Sequence, residues 1–201
     1  MTIEKRNGRQ FVVGFVRNRD ELAKVRKAAA KSKAGVEVEL RPWPQCEALM
    51  TLERPLATPS KPSISLPKSV YRASDTLAFD VSMAGFQGYM HVAYIQADGS
   101  VVNLVQSDPL TLSTLAAHAS LRFGDGLEGR SKFTVAAPFG NEMIVAIASK
   151  SPLFDEDRPL VETEREFLTA LRKAIIARPD PTLPERVVSA SYSVLETTKG
   201  E

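Results

Sequence analysis

The sequence predicts an α+β fold: an antiparallel β-sandwich domain with a C-terminal helix, preceded by a small βαβ module. Three observations predict this class. Short β-branched and aromatic runs recur about every ten residues through the middle of the chain, a spacing typical of sandwiches. Apolar residues with helical periodicity occur near both ends, and a proline- and serine-rich stretch separates the two parts. With 201 residues, 43% of them hydrophobic, the chain can bury a core without a metal or a disulfide.

Residues 1–54 predict the small α/β module. Residues 10–17 are apolar and β-branched, which is typical of a buried strand. Asn18 and Glu21 form a capping box that begins a helix, and Gly35 is expected to end it. An apolar stripe supports this helix and consists of Leu22, Val25 and Ala29. After Gly35, apolar and charged residues alternate, which predicts a half-exposed strand that runs parallel to the first if the two are neighbours.

Residues 55–68 are predicted to link the two domains. Four prolines and several serines lie in this stretch, and neither a helix nor a central strand tolerates that composition. Ile64 and Leu66 within it have the spacing of an edge strand at the start of the second domain. Before the linker, residues 41–47 are bracketed by prolines, and residues 48–52 are expected to return to a strand.

Residues 69–201 predict the β-sandwich domain. Five candidate strands lie in its first part, at residues 76–82, 88–96, 101–106, 131–136 and 143–149. Ala97–Ser100 lies between two apolar runs and predicts a hairpin. Both faces of the strand at 88–96 are largely apolar, so we expect this strand to be central in its sheet.

A helix and a late strand complete the predicted sandwich domain. Thr163 and Glu166 form a second capping box at the start of a helix over 163–177, whose apolar residues recur at i, i+3 and i+4. Arg178 and Pro179 are expected to end this helix. Residues 186–197 alternate between two faces, which predicts a strand that returns to the main sheet.

Charge and hydropathy exclude several classes of protein. Lysine and arginine number 26 against 24 acidic residues, and this net charge of +2 is too balanced for a nucleic-acid or anionic-membrane binder. No apolar run approaches the roughly 20 residues that span a bilayer. The first ten residues also lack the apolar core of a secretory signal. We therefore expect no nucleic-acid partner and no membrane contact. A cytoplasmic location is the default expectation, and the compartment and the oligomeric state stay open.

Gly124–Gly129 matches the G-x-G-x-x-G string of dinucleotide-binding proteins. In those proteins a helix follows the glycines, and its N-terminus holds the pyrophosphate. Here residues 130–135 predict a strand instead. The sequence therefore predicts a loop in which glycine supplies conformational freedom, and it contains no Walker A string for ATP.

The chain has one cysteine and two histidines, which restricts its chemistry. Cys46 has no second cysteine for a disulfide or a zinc site and is predicted to be a small buried hydrophobe. His91 is expected in the core with a satisfied ring nitrogen, and His118 on a surface loop. Asp155–Asp157 lack the ligand spacing of a calcium loop. We therefore predict no catalytic residue, no cofactor-binding residue, no metal ligand and no cofactor.

Two segments of strand and turn resemble a bacterial family. Gly88–Val105 has an aromatic strand before an Asp-Gly hairpin, and Phe133–Leu153 has a Pro-Phe-Gly turn before an apolar strand that ends in Ala-Ser. Through them, residues 69–153 are similar to the uncharacterised family called domain of unknown function 4384. The resemblance implies a β-rich accessory module, common at the C-terminal end of larger proteins with protein kinase or caspase-like peptidase domains. Residues 10–41 resemble the small modules of the BON class, which bind membranes or partners.

We therefore expect a non-catalytic binding or scaffolding region with a protein partner, the C-terminal accessory part of a larger bacterial signalling or peptidase-type protein. Recognition usually lies on loops of a rigid scaffold, so three loops are predicted to form the partner surface if they cluster at one end of the sandwich. These loops are Ala97–Ser100, Phe123–Arg130 and Pro138–Asn141. Its candidate residues are Asp98, Asp125, Arg130, Phe139 and Asn141. One alternative is a hydrolase with a dispersed serine or cysteine nucleophile and His91 or His118 as the base. Another is a structural component of an envelope or secretion assembly.

Overall fold

The computed structural model describes residues 1–105, 114–176 and 187–200. The chain divides into two compact units, Met1–Met50 and Thr51–Glu201. The predicted class is confirmed: a small βαβ module comes first, and a mostly antiparallel sandwich with a C-terminal helix follows. None of the helices in the described ranges combines the length and the hydropathy needed to span a bilayer.

The first unit is a three-stranded sheet with one long helix. Its elements are β1 (Thr2–Arg6), β2 (Arg9–Val16), α1 (Arg19–Lys31), β3 (Gly35–Leu40) and α2 (Gln45–Thr51), the last of which reaches the start of the second unit. The sheet order is β1-β2-β3. As predicted, β2 and β3 are parallel neighbours, whereas the antiparallel edge strand β1 has no counterpart in the sequence predictions.

Helix α1 begins as predicted and ends at Lys31, four residues before Gly35. Asn18 caps it, since its Oδ1 accepts from the Glu21 N–H at 2.9 Å. The prediction that Gly35 ends the helix is wrong. Lys33 takes the left-handed conformation, with φ of 54°, and the Ala34 N–H donates to the Ala29 carbonyl at 3.0 Å. Gly35 instead begins β3, where a Cβ would lie 2.5 Å from the Phe11 ring.

The prediction of a strand over 48–52 is wrong, because Gln45–Thr51 forms α2. The buried residues Gln45, Ala48 and Leu49 are spaced at i, i+3 and i+4, which is the period of one helix face. A five-residue window covers little more than one turn and does not separate this period from strand alternation.

The second unit contains a six-stranded and a three-stranded sheet. Its elements are α3 (Glu53–Leu56), β4 (Ser63–Ser65), β5 (Val70–Arg72), β6 (Phe79–Ser82), β7 (Tyr89–Ile95), β8 (Ser100–Val105), β9 (Ser120–Phe123), β10 (Asn141–Ser149), β11 (Val161–Thr163), α4 (Glu164–Ile176) and β12 (Val188–Thr198). The sheet orders are β11-β8-β7-β10-β12-β5 and β4-β6-β9. Strand β7 is central, its hairpin to β8 forms, and β12 returns to the main sheet, all as predicted.

The six-stranded sheet is covered on both faces. Toward the three-stranded sheet it contributes a core of Met90, Val92, Ile144, Ala146, Ala148 and Leu195, which packs with Phe79 and Val81 of β6. The opposite face carries His91, whose ring stacks on Phe167 of α4 with the centroids 5.9 Å apart. Because side chains alternate across a strand, β7 supplies apolar residues to both layers.

Two further predictions differ from the structure. The predicted strand at 131–136 forms only isolated bridges, such as Thr76 with Thr134 and Gly124 with Lys132. The predicted strand at 76–82 is shorter and spans Phe79–Ser82. Strands β5, β9 and β11 have no predicted counterpart, since each has only three or four residues.

The predicted linker, residues 55–68, lies within the second unit. It contains β4, which pairs with β6 at the edge of its sheet, so the predicted edge strand around Ile64 is confirmed. The Thr163–Glu166 capping box also forms, with each backbone N–H donating to the other side chain. The predicted helix stop at Arg178 and Pro179 lies outside the described residues.

Candidate functional site

The interior of the second unit contains a row of hydrogen-bonded polar side chains that starts at His91. His91 lies in the middle of β7 with 1% of its surface exposed, and its Nε2 is 3.0 Å from Oδ1 of Asn103 on β8. The Asn103 amide nitrogen donates to Oε1 of Glu162 and to the Pro159 carbonyl, both at 2.8 Å. Since both amide protons are used there, Oδ1 is the acceptor and Nε2 of His91 is the donor.

The row continues from Glu162 to Arg158. The Arg158 Nε lies 3.2 Å from Oε1 of Glu162, and a second guanidinium nitrogen pairs with Oε2. The Glu162 side chain is 2% exposed and that of Arg158 is 22% exposed. A buried carboxylate without such partners is strongly destabilising. We call His91, Asn103, Glu162 and Arg158 the polar chain; it links the sheet interior to the surface.

Aromatic rings enclose the imidazole of His91. Phe154 meets it edge-on with the centroids 5.1 Å apart, and Phe167 stacks on it. The Nδ1 atom is buried and has no hydrogen-bond partner within the described ranges. Burial, with a smaller contribution from the charge of Arg158, lowers the pKa of His91 to about 4. The ring is therefore neutral near pH 7, and its Nε2–H is fixed by Asn103.

A cleft lies between the 153–158 segment and α4. Its volume is about 250 Å³, and its lining residues are Leu153, Phe154, Asp155, Glu156, Arg158, Ala170, Lys173 and Ala174. The lining combines buried apolar side chains, those of Leu153 and Ala174, with acidic and basic side chains that share the rim. We call it the α4 cleft. Arg158 belongs to both the cleft and the polar chain, so the hydrogen bonds of the chain hold one wall of the cleft in place.

A second buried polar cluster lies near the C-terminal end of β7. The Tyr94 hydroxyl donates to the carboxylate of Glu142, which also bonds to the Thr197 side chain. Together with Gln96, these three residues help to line a cavity of about 60 Å³. Burial raises the pKa of Glu142 above its ordinary value, and burial also raises the pKa of Tyr94.

Two of the three predicted loops meet at one end of the six-stranded sheet. A Cβ on Gly140 would lie 2.9 Å from that of Ala97, so the loop before β10 touches the hairpin between β7 and β8. Asp98 is exposed in this hairpin, and its Oδ1 accepts from the Ser100 N–H at 2.9 Å. Asn141 is exposed as well, whereas Phe139 is half-buried against the core.

Asp125 and Arg130 of the third loop bind each other. Two guanidinium nitrogens of Arg130 contact the two carboxylate oxygens of Asp125, each at 3.0 Å. These bonds, with one from the Leu127 N–H, lower the pKa of Asp125 to about 2. The glycines at 124, 126 and 129 all have φ between 73° and 79°, and no helix directly follows them. The prediction of a glycine-permissive loop is confirmed.

The other residues with candidate chemistry stay apart. His118 is exposed on a turn with φ of 62°. Cys46 is buried, and burial raises the pKa of its thiol. Asp155 and Glu156 lie on the rim of the α4 cleft. In the part of the chain that the structure describes, no group of three or more histidine, cysteine or acidic side chains is placed to hold a metal ion.

Residues 70–152 match a family model described as a domain of unknown function (DUF4384). This segment is a DUF4384 domain. Comparison with curated proteins and with solved structures gave no match. The DUF4384 segment contains His91 and Asn103, whereas Arg158 and Glu162 lie outside it. The polar chain thus ties the domain to the segment that follows it.

Sequence reasoning missed the polar chain around the DUF4384 segment. One signal was present, because Asn103 occupies an inward position of a predicted apolar strand, and a buried amide needs partners. A second signal is the i, i+4 spacing of Arg158 and Glu162. Neither signal identifies the partner, because Asn103 and Glu162 are 59 positions apart in the sequence.

Proposed function

We propose that the second unit is a non-catalytic binding module and that its ligand occupies the α4 cleft. The single observation that carries this is a concave cleft that combines apolar and charged side chains and has one wall held by the polar chain. Binding sites are concave and largely preformed, with polar groups that fix the orientation of the ligand. The side chains of Asp155, Glu156 and Lys173 are solvent-exposed on the rim.

The composition of the α4 cleft favours a short peptide segment of a partner protein. A volume of about 250 Å³ suits one or two side chains rather than a large cofactor. Phe154 and Ala174 offer an apolar contact for one side chain. Lys173 and Glu156 on the rim complement an acidic and a basic neighbour in the same segment. The ligand class is therefore an apolar residue flanked by charged residues.

The first test uses N-acetylated dipeptide amides as probes for the ¹⁵N-labelled full chain. We expect dipeptides with one apolar and one charged residue to shift the amide signals of Phe154, Lys173 and Ala174. Ala170→Trp fills the cleft and should abolish these shifts. Thr169→Trp is the matched control, because Thr169 is exposed on α4 and does not line the cleft. Shifts that survive Ala170→Trp, or their absence in the unmodified chain, would contradict the proposal.

The proposal also concerns the larger protein that contains this module. We propose an accessory role in a larger bacterial signalling or peptidase-type protein in the cytoplasm, which the resemblance of residues 69–153 supports. Sequencing the complete reading frame and its neighbours tests this role. A kinase or peptidase domain in the same frame or in an adjacent gene is the expected result, and a frame with neither would contradict it.

The hydrolase alternative needs a histidine beside a serine or cysteine side chain within a pocket. In residues 1–105, 114–176 and 187–200, the hydrogen bond of His91 goes to Asn103. The exposed His118 lines none of the cavities described above. These positions favour the binding proposal, and a substrate screen provides the direct test.

A further inference from the structure

One edge of β12 is only partly paired. On one side, β12 pairs with β10 over Val188–Glu196. On the other side, β5 pairs only with Glu196–Thr198. The stretch before Glu196 therefore borders no strand of its own sheet on that side. Ser189 and Ala190 are buried, whereas Tyr192–Val194 are partly exposed, so the accessible part of this edge is Tyr192–Val194.

The direction of the backbone groups on this edge follows from one hydrogen bond. The Glu196 N–H donates to the Ser69 carbonyl at 2.8 Å, on the β5 side. Backbone N–H and C=O groups alternate in direction along a strand, so those of Tyr192 and Val194 point to the same side as those of Glu196. Within the described ranges, no hydrogen bond satisfies these groups of Tyr192 and Val194.

A groove lies beside this unpaired edge. Its volume is about 430 Å³, and its lining residues are Ile64, Ser65, Leu66, Lys68, Ser69, Ser193 and Val194. It is bounded by β12 on one side and on the other by β4, the edge strand of the three-stranded sheet. It shares no lining residue with the α4 cleft. An edge strand with unpaired backbone groups is a template for pairing with another chain.

A row of serines leads inward from the groove. Ser189, Ser191 and Ser193 lie opposite Ala148, Ala146 and Ile144 of β10, so they share the face that carries the sandwich core. The hydroxyl oxygens of Ser189 and Ser191 are buried without a hydrogen-bond partner in the described part of the chain. Unsatisfied buried hydroxyls are uncommon, and each destabilises the fold unless a ligand or water reaches it.

We propose that the groove takes up one extended, uncharged segment of a partner protein, which adds as a strand to the free edge of β12. Its backbone would bond to the N–H and C=O groups of Tyr192 and Val194. A small hydroxyl or amide side chain of the segment would face Ser191 and Ser193, and the next apolar side chain would face Leu66. The segment is uncharged because the charged groove residue Lys68 is already paired with Asp75.

The test selects ten-residue peptides from a random displayed library on the immobilised full chain and measures their affinity with fluorescein labels. The key variant is Val194→Pro. It removes a backbone N–H that points away from β10 and so takes no part in the pairing of β12 with β10. The matched control is Val161→Pro, at the opposite edge of the same sheet, where the N–H of exposed Val161 also points outward. Ser193→Trp fills the groove and provides a second test if Val194→Pro fails to fold.

We expect at least tenfold weaker peptide binding in Val194→Pro and in Ser193→Trp, and unchanged binding in Val161→Pro. Hydrogen exchange at Tyr192 and Val194 should be fast in the free chain and slow with peptide. The proposal is overturned if no peptide is selected or if selected peptides bind both groove variants normally. It is also overturned if protection of these two amides rises with protein concentration alone, which would assign the edge to a second copy. Neither groove variant replaces a residue that lines the α4 cleft or belongs to the polar chain, so the two proposals fail independently.

Discussion

The Nε2 atom of His91 lies 3.0 Å from Oδ1 of Asn103, and through this contact the central strand β7 reaches a residue of β8 that holds the segment before α4. Asn103 uses its amide nitrogen for Glu162 and Pro159, and its backbone N–H donates to the Leu160 carbonyl. One side chain therefore fixes both the tautomer of a buried imidazole and the position of the wall of the α4 cleft.

The burial of His91 predicts loss of stability in acid. Because the folded-state pKa of about 4 is below the ordinary value of 6.5, the contribution of His91 is complete above about pH 6.5 and is lost as the pH falls toward 4. The loss amounts to about 3 kcal/mol. His91→Gln keeps a donor toward Asn103 but does not titrate. We expect urea unfolding between pH 7 and 4 to show a shallower fall for this variant; parallel curves would contradict the assignment.

Asn103→Leu should destabilise the second unit by about 2–4 kcal/mol, because it leaves the buried Glu162 carboxylate with one partner fewer. Hydrogen exchange at Glu162 and Glu164 should accelerate, since their amides face β8 and β11 loses its side-chain anchor to that strand. Asn141→Leu is the control, because Asn141 is exposed and should change the unfolding free energy by less than about 0.5 kcal/mol. Equal effects of the two variants would contradict a structural role for the polar chain.

Local pattern could predict the elements that have long apolar runs and clear turn signals. Strand β7 is largely apolar on both faces and is followed by an Asp-Gly turn, so its central place and its hairpin follow from the sequence. The strand prediction at 48–52 was wrong because the few apolar positions there fit both the helical period and the alternation of a strand. Strands of three residues, such as β5 and β11, depend on the neighbour that pairs with them rather than on their own side chains.

The candidate site was less predictable than the fold. His91 was expected in the core with a satisfied ring nitrogen, and Nε2 is satisfied while Nδ1 is not. Its hydrogen-bond partner, Asn103, lies on β8, and the sheet order places that strand between β7 and β11. The α4 cleft likewise depends on the packing of a loop against a helix. Contacts of this kind join residues far apart in the sequence, and no local pattern encodes them.

The glycine loop allows a test within a single motif. At Gly124 the φ is +78°, and a Cβ would lie 1.9 Å from the Leu77 carbonyl oxygen, whereas at Gly129 the φ is +79° and the space is open. Gly129→Ala should therefore destabilise the chain by about 1 kcal/mol, the cost of the left-handed backbone alone. Gly124→Ala should cost at least about 3 kcal/mol, because the backbone must also move. Equal melting temperatures of the two variants would contradict this packing of the loop.

The predicted partner surface at Asp125 and Arg130 calls for a double substitution. The Asp125 side chain is 13% exposed and that of Arg130 is 32% exposed, so the ion pair is only partly solvated. Replacing both with alanine leaves neither charge unpaired, and the melting temperature should fall by no more than about 4 °C. If this loop contacts the partner, a pulldown with the double variant should recover less of it than one with the unmodified chain. Unchanged recovery would remove Asp125 and Arg130 from the partner surface.

A substrate screen distinguishes the binding proposal from the hydrolase alternative. His91 is enclosed by Phe154 and Phe167 and engages Asn103, so no path leads a substrate to its ring in this conformation. His118 is exposed on a turn and lines none of the cavities described above. With a panel of esters and peptides, the unmodified chain should therefore show no more turnover than the double variant His91→Gln, His118→Gln. Turnover that depends on either histidine would replace the binding proposal with a catalytic one, because the imidazole would then have to reach the substrate through a rearrangement of Phe154.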